Sequence, residues 1–126
     1  MRNRIVLILA VCGILTDKDA AGVAAELRGC VDAWWCVTTE GDRGRSGASL
    51  AQMVESQVAA PVEAADSTAA GCATALEAAK ASDRILVFGS FHVVGPALDW
   101  LEARGVLPPA TLPEYTATPR ATYVQG

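Results

Sequence analysis

Apolar, β-branched runs alternating with stretches of helical periodicity predict a three-layer α/β fold, a mostly parallel sheet with helices on both faces. Two runs carry most of that expectation. Ile5 to Val11 contains Ile5, Val6, Ile8 and Val11 and is apolar on both faces, as a strand inside a parallel sheet must be. Arg84-Ile85-Leu86-Val87-Phe88 repeats the pattern late in the chain. Segments of helical spacing fill the interval, and 126 residues suit one domain with a core of its own.

The elements follow in order. A strand is expected over residues 4–11, then the loop Gly13-Ile14-Leu15-Thr16-Asp17-Lys18-Asp19. A helix over 19–29 has Ala21, Val23, Ala24 and Leu27 as its apolar face, with Thr16 or Asp17 available as N-cap. Ala33-Trp34-Trp35-Cys36-Val37-Thr38 is aromatic and β-branched, which favours a second strand. The loop Glu40-Gly41-Asp42-Arg43-Gly44-Arg45-Ser46-Gly47 is polar and glycine-rich, and its lack of a Lys-Ser/Thr ending makes it a flexible surface segment rather than a phosphate loop. Leu50, Met53, Val54 and Val58 then define a helix over 49–58. Residues 60–63 suit a short edge strand, where Pro61 is tolerated. Asp66 or Ser67 caps an alanine-rich helix reaching about residue 81. The strand at 84–88 closes with Gly89-Ser90-Phe91-His92, and a last helix over 93–104 is expected to carry Pro96 in its first turn. Four of the six prolines fall after Gly105, so residues 1–105 are expected to form the domain and 106–126 an irregular Pro/Thr-rich tail.

Composition removes several function classes. The formal charge is −4 with no clustered basic surface, which argues against nucleic acid as a partner. The cysteines Cys12, Cys30, Cys36 and Cys72 form no C-x-x-C pair, and His92, the only histidine, completes no zinc set with them. They read as reduced thiols in a cytoplasmic protein. Met1-Arg2-Asn3-Arg4 followed by an apolar run resembles a signal peptide, and Leu9-Ala10-Val11-Cys12 hints at a lipoprotein box. Val11 is too large for the position before such a cysteine, however, and the run would reach only ~16 Å as a helix, about half the hydrocarbon core. A buried strand accounts for it better, and no membrane partner is expected.

In open α/β sheets ligands collect at the carboxyl ends of strands. Two loops there hold compact polar groups, Thr16-Asp17-Lys18-Asp19 and Gly89-Ser90-Phe91-His92. If their strands are neighbours, Lys18, Ser90 and His92 converge on one crevice suited to a carboxylate or phosphate. The bland alternatives are that Asp17 and Asp19 only cap a helix, that Lys18 is a solvated charge, and that Ser90 only caps the last helix. There is no G-x-S-x-G elbow and no matched nucleophile for the lone histidine, which argues against a hydrolase triad.

Gly13 to Asp19, then Val31-Asp32-Ala33-Trp34-Trp35-Cys36-Val37, then Ile85-Leu86-Val87-Phe88-Gly89-Ser90-Phe91-His92-Val93-Val94 together resemble the C-terminal domain of bifunctional dihydrofolate synthase/folylpolyglutamate synthase, over roughly residues 4–104. That family belongs to the Mur-ligase-like amide ligases, which activate a carboxylate with ATP as an acyl phosphate and let the amine of glutamate attack it. The resemblance implies a Rossmann-like α/β domain that carries the glutamate side of the reaction. It assigns Lys18 and Ser90 to the incoming L-glutamate, places His92 close by, and makes Asp17, Asp19, Gly89 and Phe91 the supporting loop residues. It gives no residue of this chain a catalytic or metal-binding role.

The family's P-loop ATPase domain and its Asp-x-Ala-His-Asn-Pro motif have no counterpart in this sequence. The resemblance therefore implies a truncated domain that starts after the family's first βα unit. ATP and Mg would belong to the parent enzyme, folate or dihydropteroate would be held mainly by the absent ATPase domain, and neither nucleotide nor metal would bind this chain tightly. The chain is expected to be inactive alone, with an exposed sheet edge that invites homodimerisation. The competing class is a non-catalytic α/β module for small-ligand binding or dimerisation.

Overall fold

The strand-forming runs are those that can bury both of their faces. The computed structural model describes residues 6–105 and 120–125. The chain runs β1 (Ile8–Gly13), α1 (Ala20–Glu26), β2 (Ala33–Val37), α2 (Gly47–Glu55), β3 (Val62–Ala65), α3 (Thr68–Ala78), β4 (Arg84–Gly89), α4 (Phe91–Ala103) and β5 (Arg120–Gln125). Every neighbouring pair is parallel, in the order β3-β2-β1-β4-β5.

Alternate residues of each strand feed opposite layers, as the two-residue period requires. Leu9 and Val11 of β1, Trp35 and Val37 of β2, and Ile85 and Val87 of β4 pack against α3 and α4 through Cys72, Ala75, Val94 and Leu101. Ala10, Cys12, Trp34, Cys36 and Phe88 face the other way, onto Ala20 and Ala24 of α1 and Leu50 and Val54 of α2. Each large apolar side chain buried this way contributes about 1.5–3 kcal/mol. Trp34 and Phe88 meet edge to face with centroids 6.0 Å apart.

Two carboxylates fix the amino end of the sheet. Asp83, only 1% exposed, accepts from the Leu7 amide at 3.1 Å and the Lys80 amide at 2.9 Å. Asp32 accepts from the Ile8 amide at 2.8 Å. They flank the start of β1, which runs over Ile8–Gly13, two residues past the expected end; residues 4 and 5 of the expected strand lie outside the described residues. The carboxyl end of the sheet is left for the loops that matter.

Other expectations shift for local reasons. The α1 cap is Asp19, not Thr16 or Asp17, because those two are held by Arg43 instead. Ser46 and Ser67 cap α2 and α3. Helix α4 starts at Phe91, capped by Ser90, so Pro96 falls in the second turn rather than the first. Of the expected irregular tail, residues 106–119 lie outside the described residues, but Arg120–Gln125 is not irregular. It pairs along the whole of β4, because Thr122, Tyr123 and Val124 suit a ladder better than the prolines before them suggest.

All four thiols are free; Cys12, Cys36 and Cys72 are buried and Cys30 is exposed. A thiol hydrogen bond to its register partner Cys36, together with burial, holds Cys12 well above the usual range, and burial pushes Cys72 up to about 11. Among the described residues no helix is long and apolar enough to cross a membrane.

Candidate functional site

The chain leaves β1 for β2 and β3 on one side, then returns to β4 on the other. The strand order thus reverses between β1 and β4, and the loops leaving their carboxyl ends diverge toward opposite helical layers. Such a crevice is where open α/β sheets bind ligands. The two strands stay in register to their last residues, Gly13 opposite Gly89.

The β4 side of the crevice is built by backbone. Gly89 has φ +114°, and a Cβ there would stand 2.1 Å from the Gly13 carbonyl oxygen. Only glycine lets the turn tuck in so closely. The Ser90 N–H then donates to that carbonyl at 2.8 Å. Ser90 Oγ accepts from the His92 amide at 3.1 Å, and the Ser90 carbonyl accepts from Val93 and Val94. The His92, Val93 and Val94 amides of α4 are therefore satisfied, while the Ser90 O–H proton remains available as a donor.

The β1 side is a loop, residues 14–19. The Lys18 amide donates to the Leu15 carbonyl at 3.1 Å, and the Ala20 amide to the Lys18 carbonyl at 3.0 Å. The carboxylates flanking Lys18 are both engaged: Asp19 accepts from the Gly22 amide at 3.0 Å, and Asp17 takes the Arg43 guanidinium at 2.7 Å. The exposed Lys18 ammonium has no hydrogen bond or ion pair among the described residues. Lys18 and Ser90 line one cavity of about 210 Å³, walled by Ile14, Leu15, Val23 and Phe88. A cation and a hydroxyl donor at the rim of an apolar recess can receive one carboxylate.

His92 does not join them. It is exposed and lines a neighbouring crevice of about 410 Å³ with Thr38, Thr39, Ser67 and Thr68. The expected three-residue convergence fails because Ser90 is the cap and His92 lies two positions on, some 200° around the helix. Phe91 opens α4, and its side chain lies outside the described residues. Among the described residues no group of three or more His, Cys, Asp or Glu is placed to hold a metal ion.

The sequence reading missed the loop at residues 40–46. The Arg43 carbonyl accepts from the Thr16 amide at 2.8 Å and from its hydroxyl at 3.2 Å, and Arg45 reaches the carbonyls of Leu15 and Lys18. In sequence a buried arginine looks like any surface charge. Its one signal was position, immediately before the Ser46 cap of α2.

The profile of the family "Mur ligase, glutamate ligase domain" matches residues 2–91. The dihydrofolate synthase/folylpolyglutamate synthase of Haemophilus influenzae is 45% identical over 87 residues, 68% of this chain and 20% of that protein. Its Escherichia coli counterpart is 39% identical over 97 residues, 77% of this chain and 22% of its own length. Among solved structures, E. coli FolC in complex with DHPP and ADP superposes with a TM-score of 0.71 at 37% identity, covering 81% of this chain and 23% of FolC. The Yersinia pestis bifunctional folylpolyglutamate synthase/dihydrofolate synthase complexed with AMPPNP and Mn ion gives 0.67 at 34% identity, covering 76% and 22%. The chain spans about a fifth of the length of the curated relatives it matches.

Proposed function

This chain belongs to the family of Mur ligase glutamate ligase domains, and from that membership we propose that it is the glutamate-side C-terminal domain of an ATP-dependent ligase adding L-glutamate to dihydropteroate or folate. The observation that carries the reading is the pairing of Lys18 with Ser90 across the reversal in strand order. The Lys18 ammonium and the Ser90 hydroxyl receive a glutamate carboxylate, through charge-assisted bonds of about 1.5–3 kcal/mol each. Asp17, Asp19 and Gly89 support them by holding the two loops in shape. His92 borders the adjoining crevice and is assigned to the same substrate side only as a neighbour.

ATP, Mg and the pterin-bearing substrate belong, in this reading, to the remainder of the ligase length, and the chain is cytoplasmic and inactive on its own. The edges of the described sheet, β3 and β5, are where a second copy would pair if the domain dimerises.

The test is made in a full-length relative. The substitution corresponding to Lys18→Ala is expected to raise the glutamate KM about tenfold while the ATP KM stays within about twofold. Equal rises in both would contradict a glutamate role for Lys18.

A further inference from the structure

Arg45 is 8% exposed and has no carboxylate partner among the described residues. A buried guanidinium without an anion is destabilising, and an apolar residue would fill the same space at lower cost. Its donors are nevertheless specifically placed. Nη2 donates to the Leu15 carbonyl at 3.0 Å and to the Lys18 carbonyl at 3.3 Å. Nη1 lies against Met53 Sδ of α2, and Nε has no acceptor.

The two carbonyls are the ones that fold the Lys18 turn, since they already accept from the Lys18 and Ala20 amides. Arg45 is the second donor on both. Its own backbone is anchored where β2 ends: the Arg45 amide donates to Thr39 Oγ1 at 2.8 Å, and its carbonyl accepts from the Thr39 amide at 2.9 Å. A continuous line of hydrogen bonds therefore runs from the end of β2, through Arg45, to the turn that carries Lys18.

We propose that Arg45 is the positioning residue of this site, holding the Leu15 and Lys18 carbonyls so that the Lys18 ammonium is presented to the cavity it shares with Ser90. The hydrogen-bond geometry stands by itself; only the ligand readout rests on the glutamate reading.

Amide hydrogen exchange and an L-glutamate titration on the whole chain, as wild type, Arg45→Gln and Arg45→Lys, test it. In Arg45→Gln the Lys18 and Ala20 amides should exchange roughly tenfold faster or more, while Ser90 and the β4 amides change less than about twofold. Glutamate affinity should fall about tenfold. Arg45→Lys keeps a cation that can reach both carbonyls but loses the planar fork, so it should restore much of the protection and most of the affinity. If Arg45→Gln does not fold, Arg45→Lys still decides the matter, through a smaller acceleration confined to the same two amides. Unchanged protection at Lys18 and Ala20 in Arg45→Gln (or in Arg45→Lys where Arg45→Gln does not fold), or acceleration spread evenly over the sheet in either variant, overturns the proposal. Local acceleration in a chain whose wild type ignores glutamate would uphold the positioning role and sink the glutamate reading instead.

Discussion

The two halves of the Lys18–Ser90 site reach similar order by different means. On the β4 side the backbone does nearly everything: a glycine with positive φ, the Gly13 carbonyl of the neighbouring strand at closest approach and a serine that caps its own helix fix Ser90. On the β1 side the loop at residues 14–19 is held largely from outside, by Arg43 on its exposed face and Arg45 beneath it. One half is made by backbone, local to the β1–β4 register, and the other borrows its geometry from side chains of a segment about 27 residues away. A site assembled this way can have one rigid wall and one that depends on its brace.

Breaking the local half should have the largest effect. Gly89→Ala forces a side chain into a strained backbone region and onto the Gly13 carbonyl, so stability should fall by about 3 kcal/mol or more. A thermal melt should show the midpoint dropping by more than about 10 °C. Lys18→Ala should instead leave the melt within about 0.5 kcal/mol, because the exposed ammonium has no hydrogen bond or ion pair among the described residues, and lower glutamate affinity about tenfold by calorimetry.

Ser90 separates capping from binding. Ser90→Ala should lose the cap, at about 1 kcal/mol in a urea titration. Ser90→Asp keeps a capping oxygen but places an anion where the carboxylate should sit, so stability should persist while glutamate-induced shifts disappear. The smallest effect belongs to Arg43→Gln. Its pair with Asp17 is 62% and 41% exposed, and its removal should change stability by less than about 0.5 kcal/mol, less still in high salt.

The same contrast governs what the sequence disclosed. Strands β1, β2 and β4 were legible because a run that is apolar on both faces has few other places to go, and the edge position of β3 followed from Pro61. The Gly89-Ser90 half of the site was legible because a glycine and a capping serine stand together at the end of a recognisable strand. The bracing of Lys18 was not, since an arginine buried by tertiary packing carries no local pattern that distinguishes it from a solvated one. β5 was hidden behind proline-rich neighbours, and its pairing partner lies more than thirty residues earlier. His92 was misplaced for a rotational reason: sequence adjacency to Ser90 suggested a shared face, whereas the helix start turned the two side chains apart.

Whether Lys18 and Ser90 form one carboxylate half-site on this chain is decided by an NMR amide titration with L-glutamate beside D-glutamate and ATP–Mg controls. Shifts centred on Lys18 and Ser90 are expected to follow L-glutamate alone. A folded, dispersed spectrum that does not respond to millimolar L-glutamate, or that responds only far from those two residues, would contradict it.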